Sequence, residues 1–306
     1  MYRSIITALA RNETIKRFLI NFPLTRRAMN QFVISDSWPE VKQAVITLIE
    51  SGRRVTIDYL SQAAHSEVEA ATTTATYLAI LDEIRQEGWA DLVDVTVKLT
   101  ALGLLVRQGE PLASENARQI AAKAKEVGTN ITIDLEDATT IMRTQRIVRA
   151  LRQEFPDVGC VVRANLKRTE ADCRAFADTR VRLRKGAYRV PTRAAHSDRH
   201  DVNLSYVRCL KILMEGKGRP VIATHDPIMI EIAQELAAHS SRGLKDFEFQ
   251  MRYGVRPLEQ ARLADLEHIV RVKIPYGPDW YGYIVRRLGE RPRNLIYFFR
   301  AIGRRG

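Results

Sequence analysis

The sequence of 306 residues lacks the features that define several protein classes. It has no run of about eighteen apolar residues, which excludes an ordinary membrane-spanning helix. Gly (16) and Pro (11) are too few for a fibrous or disordered chain, and 45% hydrophobic residues are enough for a full core. The three cysteines, Cys160, Cys173 and Cys209, have the spacing of neither a disulfide framework nor a zinc site. This favours a reducing compartment, so we expect a cytoplasmic protein.

Several catalytic signatures are missing as well. No Gly-x-Gly-x-x-Gly turn follows the first predicted strand, which disfavours a dinucleotide-binding open sheet. The absence of a Walker-type loop and of a serine nucleophile elbow argues against phosphoryl transfer and hydrolysis. His225 has no second histidine at ligand spacing, and His196 and His200 stand in a polar stretch without supporting carboxylates. We therefore predict no metal site.

Acidic residues are scarce relative to basic ones, and the formal net charge is +12. Such an excess fits nucleic acid, an anionic membrane surface, anionic ligands or simply a solvated basic face. The C-terminal region contributes several of these cations against Glu290 alone, namely Arg286, Arg287, Arg291, Arg293, Arg300, Arg304 and Arg305. Because no recognised nucleic-acid-binding module is present, we expect no nucleic-acid partner.

The main structural signal is an alternation of short β-branched runs with longer stretches of helical periodicity. The predicted strands are Val55–Leu60, Val95–Leu102, Ile131–Leu135, Cys160–Leu166, Val181–Ala187, Val221–His225, Phe247–Tyr253 and Val272–Tyr276. The predicted helices include Val68–Gln86, Ser114–Val127, Thr140–Phe155, Val202–Met214, Ile228–His239 and Trp280–Ile302. Eight βα units in about 250 residues predict an α/β fold of the (βα)₈ TIM-barrel type.

The domain organisation follows from the same alternation. Residues 1–52 precede the first strand and form a predicted N-terminal helical segment, in which Thr14–Met29 has the pattern of an amphipathic helix. Residues 53–306 form the predicted barrel domain, and no Pro- or Gly-rich linker divides it.

Charged and polar residues stand late in many of the predicted strands. In such barrels the active site lies at the C-terminal strand ends, where these side chains would converge. They are Lys98, Asp134, Arg163, Arg182, Arg184, Lys185, Thr224, His225, Asp226, Gln250 and Lys273. Any one of them is equally consistent with a solvated or salt-bridged strand end, but the convergence of five or more indicates a functional site.

The predicted final helix has a polar stripe. Tyr283, Arg286, Arg287 and Glu290 are spaced i, i+3, i+4 and i+7, so they share one face. Two arginines beside an aromatic ring can bind a carboxylate or phosphate with paired hydrogen bonds. An exposed basic helix with a glutamate partner fits the spacing equally well.

Six strings, in this order, resemble the motifs of proline dehydrogenase in its monofunctional bacterial form. They are Thr96-Val97-Lys98-Leu99-Thr100, Ile133-Asp134-Leu135-Glu136, Arg182-Leu183-Arg184-Lys185-Gly186-Ala187-Tyr188, Ala223-Thr224-His225-Asp226, Phe247-Glu248-Phe249-Gln250-Met251-Arg252-Tyr253-Gly254 and Tyr283-Ile284-Val285-Arg286-Arg287-Leu288. The resemblance runs from about Val55 to Arg300. It implies a distorted (βα)₈ barrel that holds FAD without a Rossmann motif, with the final helix over the barrel mouth.

The resemblance also implies roles for individual residues. Arg286, Arg287 and Lys98 would bind the substrate carboxylate, and Asp134 would pair with Arg287. Together with Arg182 these form the implied catalytic set. The substrate pocket would be completed by Leu183, Tyr188, Tyr283 and Lys273. The flavin would be held by Asp134, Leu135, Arg163, Arg182, Lys185, Gly186, Ala187, Tyr188, Thr224, His225, Asp226, Gln250 and Glu290.

The implied reaction is hydride transfer from C5 of L-proline to N5 of FAD, which gives Δ1-pyrroline-5-carboxylate, the first step of proline catabolism. The implied electron acceptor is a membrane quinone. We therefore expect that the basic C-terminal region makes a peripheral contact with an anionic membrane, at the inner face.

Several positions depart from the family pattern. Gln62 stands where the family has a Glu that pairs with the first Arg of the Arg-Arg motif, so gating is expected to be weaker. Arg163 replaces a Gln that faces the flavin, Arg184 replaces a small or apolar residue, and Asp226 replaces an Asn. Lys273 stands where a Tyr packs against the substrate ring, which predicts a larger and more polar pocket unless Lys273 points away and pairs with an acid.

These departures leave alternatives open. One is a related flavoenzyme for a more polar cyclic amino acid. Another is a catalytically lapsed barrel with a binding or scaffolding role, and a third is a Schiff-base aldolase that uses Lys98.

Overall fold

The computed structural model describes residues 37–136, 139–186, 193–196, 198–280 and 282–284, and within them eight parallel strands form a closed barrel in the order β1 to β8. The strands are β1 Arg54–Tyr59, β2 Val93–Val97, β3 Ile131–Ile133, β4 Gly159–Arg163, β5 Val181–Arg184, β6 Pro220–Ala223, β7 Glu248–Arg252 and β8 Ile269–Tyr276. β8 closes the barrel against β1, and Thr56 pairs with Lys273 in that register. The predicted (βα)₈ fold is confirmed.

Helices connect successive strands and form the outer layer. They are α1 Trp38–Glu50, α2 Glu67–Gln86, α3 Gly109–Val127, α4 Ile141–Glu154, α5 Thr169–Ala175, α6 Arg199–Glu215, α7 Pro227–His239 and α8 Pro257–Asp265. Side-chain caps fix two of the starts: Ser66 accepts a hydrogen bond from the Glu69 amide, and Asp226 accepts one from the Ile228 amide.

The predicted element boundaries needed correction in several places. β2 ends at Val97 rather than Leu102, because the chain turns at once and the amides of Ala101 and Leu102 donate to the carbonyls of Lys98 and Leu99. β4 likewise ends at Arg163, before the predicted Leu166. Helices α5 and α8 were not predicted. The predicted helix Thr14–Met29 and most of Trp280–Ile302 lie outside the described residues.

Strand alternation divides the barrel into an apolar outer layer and a polar interior. Val55 and Ile57 of β1 belong to the hydrophobic core between strands and helices. Their neighbours Thr56 and Asp58 point into the barrel, where Thr56 accepts a hydrogen bond from Gln250 Nε2 of β7 at 3.1 Å. The interior therefore contains hydrogen-bonded and ionic groups in place of the usual layers of aliphatic side chains.

The N-terminal end of the barrel is closed by buried ion pairs. Arg180, just before β5, contacts Asp94 of β2 at 2.7 Å and Glu248 of β7 at 3.1 Å. Arg271 of β8 contacts the same Glu248 at 2.6 Å. These groups fill the barrel interior at that end, and in barrels of this type the substrate site lies at the opposite, C-terminal end.

Candidate active site

A carboxylate between two lysines lies at the C-terminal mouth of the barrel. The Nζ atoms of Lys98 and Lys273 lie 2.9 Å and 3.1 Å from the two oxygens of Asp58. Lys98 also donates to the Tyr59 carbonyl at 2.8 Å. The three side chains come from β1, from the residue after β2 and from β8, which are adjacent in the closed barrel. Lys273 thus pairs with an acid, but it does so within the mouth.

The shared carboxylate affects the two lysines differently. Burial alone lowers the pKa of both ammonium groups. The pKa of Lys98 nevertheless rises above its usual range because Asp58 is so close. Burial lowers the pKa of Lys273 to about 8, and nearby Arg182 and Lys98 oppose the effect of Asp58 and Asp134. Burial raises the pKa of Asp58, but Lys273 and Lys98 bring it far below its usual range.

A second ion pair lies across the mouth from the first. Arg184 Nη2 lies 3.0 Å from Asp134 Oδ1 and also donates to the Leu135 carbonyl. Burial raises the pKa of Asp134, but Arg184 and Lys273 lower it overall. The Asp134 carboxylate also accepts a hydrogen bond from the Leu135 amide at 2.8 Å. Arg184, one of the departures from the family pattern, therefore contacts the carboxylate that the resemblance pairs with Arg287, which lies outside the described residues.

Buried arginines lie below and beside these ion pairs. Arg182 Nη1 donates to Thr96 Oγ1 at 2.8 Å across the barrel, while its Nε and Nη2 have no hydrogen-bond partner among the residues that the structure describes. Burial lowers the pKa of Arg182 to about 10. Arg163 is fully buried and donates to the Glu136 carbonyl at 3.2 Å. The two unpartnered nitrogens of Arg182 are donors that suit an acceptor atom of a bound ligand.

The chain after β5 approaches its neighbours closely. Gly186 has φ +98°, and a Cβ at this position would lie 2.1 Å from Asn165 Oδ1. Any other residue would strain the backbone at this φ and would have to displace the Asn165 side chain, so glycine is favoured here. Lys185 Nζ donates to Asn203 at 2.6 Å and to Asp226 at 2.7 Å.

The loop after β6 is hydrogen-bonded to β7. His225 Nε2 accepts a hydrogen bond from the Arg252 amide at 2.9 Å, which leaves Nδ1 as the protonated nitrogen of a neutral ring. Thr224 Oγ1 accepts one from the Asp226 amide at 3.1 Å. Asp226 caps α7 and binds Lys185, so this loop is joined to the one after β5.

Leu183 requires a correction. It alternates with Arg182 and Arg184, which both point into the barrel, and it is part of the hydrophobic core. Leu183 therefore points outward and does not shape the mouth. Leu135 is buried in a small cluster with Ile141 and Val161, and its backbone rather than its side chain contacts Asp134.

The remaining predicted residues are only partly described. Gln250 lies in the barrel interior and donates to Thr56. Tyr283 is half-buried, and its amide donates to the Asp279 carbonyl at 3.0 Å. Gln62 is exposed. The other five predicted site residues, Ala187, Tyr188, Arg286, Arg287 and Glu290, lie outside the described part of the chain.

Three residues of the mouth were missed from the sequence. Asp58 is a polar residue late in β1, so the rule that selected the other strand ends applies to it equally. Glu136 accepts hydrogen bonds from the Thr100 amide and hydroxyl at 3.1 Å and 2.7 Å, and burial raises its pKa. Asn165 is distant from Gly186 in the sequence and lies beside it only in the folded barrel, so no sequence signal pointed to Asn165.

The described part of the mouth is cationic. Six basic side chains (Lys98, Arg163, Arg182, Arg184, Lys185 and Lys273) stand against four acidic ones (Asp58, Asp134, Glu136 and Asp226). No cluster of three or more His, Cys, Asp or Glu that could hold a metal occurs among the described residues. The fold and this site define a (βα)₈-barrel enzyme whose mouth suits an anionic substrate and a ligand with hydrogen-bond acceptors.

Comparison with known proteins identifies the class more closely. Residues 41–295 match the proline dehydrogenase family. The chain is 33% identical over 304 residues to proline dehydrogenase 1 of Bacillus subtilis (strain 168), which covers 99% of each protein. It is 32% identical over 306 residues to proline dehydrogenase of Deinococcus radiodurans, covering 97% of this chain and 96% of that one. The chain belongs to the proline dehydrogenase family and is an oxidoreductase.

Solved structures support the fold. Proline utilization A (PutA) from Bdellovibrio bacteriovorus superposes with a TM-score of 0.81 at 20% sequence identity, over 93% of this chain and 38% of that longer one. Within the described ranges, no helix combines the length and the apolar character needed to cross a membrane.

Proposed function

We propose that the protein oxidises L-proline to Δ1-pyrroline-5-carboxylate with FAD as the hydride acceptor. The observation that carries the proposal is the cationic mouth, where Lys98, Lys273 and Arg182 lie at the C-terminal strand ends of a barrel of the proline dehydrogenase family. When bound, FAD would supply the two-electron acceptor that no amino-acid side chain provides.

Arginine and lysine side chains would hold the substrate carboxylate. Lys98 keeps its proton because it forms an ion pair with Asp58 and donates a hydrogen bond to the Tyr59 carbonyl. It would act with Arg286 and Arg287, while Asp134 and its partner Arg184 fix the opposite side of the mouth. Fixing one end of proline holds its C5–H bond in a single orientation, which is catalysis by positioning.

The cofactor would lie against the strands opposite Lys98. The Nε and Nη2 of Arg182, which have no hydrogen-bond partner within the described part of the chain, are donors for flavin acceptor atoms, and Arg163 adds positive charge. Gly186 allows close approach of the backbone. The other residues of this set lie in the loops after β5 and β6, which an ion pair joins, or in the barrel interior; they are Lys185, Thr224, His225, Asp226 and Gln250. Positive charge stabilises a reduced, anionic flavin, so the set of residues fits FAD.

The proposal includes an electron acceptor. Family membership supports a quinone, and the net charge of +12 supports reversible contact with an anionic leaflet. Binding to vesicles of phosphatidylcholine with and without phosphatidylserine tests the contact. Preferential, salt-reversible binding to the anionic vesicles is expected, and equal partitioning at low salt would rule it out.

The carboxylate site is tested by Arg286→Ala and Arg287→Ala. Each variant should keep its fold and bound flavin but bind proline less tightly by about 1.5 to 3 kcal/mol, the usual loss for a charge-assisted hydrogen bond. Steady-state kinetics with L-proline gives this difference. Unchanged kcat/KM in both variants would place the carboxylate elsewhere.

A cyclic amino acid with a polar ring substituent is the second candidate, because Lys273 offers a donor within the mouth. If this second candidate is right and Lys273 acts as that donor rather than as a base for proline, Lys273→Tyr should improve kcat/KM for proline and lower any activity on 4-hydroxyproline. If the preference between the two substrates does not change, Lys273 does not contact that side of the ring.

A further inference from the structure

We infer that Lys273 accepts the proton that the substrate amine must lose before oxidation. This inference rests on the proposed function, and it gives the proline-oxidising site its general base. Four observations support it: the shared carboxylate, the different environments of the two lysines, the charges around Lys273, and the proton balance of the reaction.

The two lysines carry one positive charge more than the shared carboxylate can neutralise. Asp58 carries a single negative charge and contacts both Lys98 and Lys273. The Asp58 side chain is buried and the two lysine side chains are largely buried, with 7% of the former and 15% to 16% of the latter accessible. One of the two lysines must therefore hold its ammonium proton weakly, since a buried cation without its own counter-charge is costly.

The contacts decide which lysine holds its proton weakly. Lys98 has an ion pair with the Asp58 carboxylate and also donates a hydrogen bond to the Tyr59 carbonyl. Among the described residues, Asp58 is the only anionic group in contact with the Lys273 ammonium. Lys98 thus stays charged and can hold a carboxylate, whereas Lys273 is the lysine that can become neutral.

The charges on the surrounding strands point the same way. Asp58 on β1 and Asp134 after β3 favour the protonated form of Lys273, whereas Lys98 after β2 and Arg182 on β5 oppose it. Arg252 on β7 pairs with Lys273 in the sheet register. Burial together with these cations lowers the Lys273 pKa to about 8, which is within the range in which a general base works near neutral pH.

The reaction itself needs such a group. Free proline carries an ammonium group, whose nitrogen has no lone pair to support hydride loss from C5. Transfer of one proton breaks a substrate N–H bond and forms an Nζ–H bond on neutral Lys273. The freed lone pair then forms the C5=N bond as C5 loses a hydride, which carries two electrons to the oxidised FAD of the proposed function. The protonated imine releases its remaining N–H proton to solvent to give Δ1-pyrroline-5-carboxylate. Lys273 returns its proton to solvent after the product leaves.

The test is the pH dependence of flavin reduction by L-proline, measured anaerobically in the holoenzyme between pH 6 and pH 10. In the wild type the second-order rate constant of reduction should rise with pH through a group near pH 8. Lys273→Met should lose this rise and fall roughly a hundredfold at pH 8, the typical contribution of a general base. The loss should shrink toward pH 10, where more free amine is available. Lys211→Met, on the exposed face of α6, is the matched control and should keep the wild-type profile.

Two further variants keep the test decisive. Lys273→Arg keeps the charge beside Asp58 but cannot release its proton in this range, so it should fold and also lose the rise near pH 8. Lys273→Ala should regain rate on addition of methylamine, whereas Lys273→Met has no space for the added amine. Wild-type profiles in both Lys273→Arg and Lys273→Met would overturn the inference while the proposed function stands. Failure of proline to reduce the wild-type flavin at any pH would instead remove the proposed function, and the inference with it.

Discussion

Asp58 is the single residue on which the arrangement of the mouth depends most. Its two oxygens contact Lys98 and Lys273, so its removal leaves two largely buried ammonium groups without a carboxylate in contact. Removing one partner of a buried ion pair typically costs about 3 to 5 kcal/mol. We expect Asp58→Asn to lower the free energy of unfolding by an amount in this range, as measured by urea denaturation at pH 7.

A double variant separates the electrostatic effect from packing. Asp58→Asn combined with Lys273→Met removes one of the two uncompensated cations, so it should recover part of the stability lost in Asp58→Asn. If the two losses simply add, the shared carboxylate does not stabilise Lys273.

Lys273 also makes stability depend on pH in a defined direction. Its folded-state pKa of about 8 lies below the usual 10.5, so between these values the unfolded chain binds more protons than the folded protein. The free energy of unfolding should therefore include a contribution that increases as pH rises from 8 to 10. Lys273→Met should lack this contribution, and Lys211→Met should retain it. Identical pH dependence in all three proteins would contradict the lowered pKa.

The loop after β5 depends on one glycine for two separable reasons, its positive φ and the proximity of Asn165. Gly52 provides the comparison, because it has φ +74° but nothing within 4 Å of its Cβ position. Gly52→Ala should cost only the strain of the left-handed conformation, about 1 to 2 kcal/mol. Gly186→Ala should cost more and should weaken FAD binding, as measured by urea denaturation and flavin titration. Equal effects of the two substitutions would mean that the Asn165 contact is not tight.

The strands and helices were predictable to the extent that their patterns are long and regular. All eight strands were identified because each lies in a short run of apolar or β-branched residues that precedes a stretch of helical periodicity in the sequence. Helices α5 and α8 were missed because they have only 7 and 9 residues, too few for a helical period to stand out. β2 was predicted too long because Leu99, Ala101 and Leu102 are as apolar as the strand itself, although they form a buried turn.

The site was predictable in its position but not in its pairing. The strand-end rule found Lys98, Asp134 and Lys273 because the C-terminal ends of parallel strands meet at one mouth. The rule could not show that Lys98 and Lys273 both pair with Asp58, or that Arg184 pairs with Asp134. Ion-pair partners depend on the strand register and on the length and direction of the side chains. Leu183 was misplaced because a family motif was carried over without applying strand alternation to its arginine neighbours.

The closed barrel as a whole depends on the ion pairs at its N-terminal end. Glu248 contacts Arg180 and Arg271, and so connects β7 with β8 and with the residue before β5. Burial raises the pKa of Glu248, but the two arginines bring it far below its usual range, so its stabilising contribution is present at neutral pH and is lost as pH falls.

Glu248→Gln should therefore destabilise the protein by about 3 to 5 kcal/mol at pH 7. The difference from the wild type should shrink in acid, as followed by thermal unfolding between pH 3 and pH 7. Glu215→Gln, an exposed residue on α6, should unfold like the wild type throughout. A constant difference between Glu248→Gln and the wild type across this pH range would contradict the ionised state of Glu248.

The most direct test of the proposed activity is an anaerobic titration of the FAD-reconstituted protein with L-proline, followed by the flavin absorbance near 450 nm. We predict that L-proline bleaches the oxidised flavin and that one Δ1-pyrroline-5-carboxylate forms per flavin reduced. Tetrahydrofuran-2-carboxylate, which has a ring oxygen in place of the amine, should bind at the same site without bleaching. A protein that binds no FAD, or a bound flavin that stays oxidised in excess proline, would contradict the account.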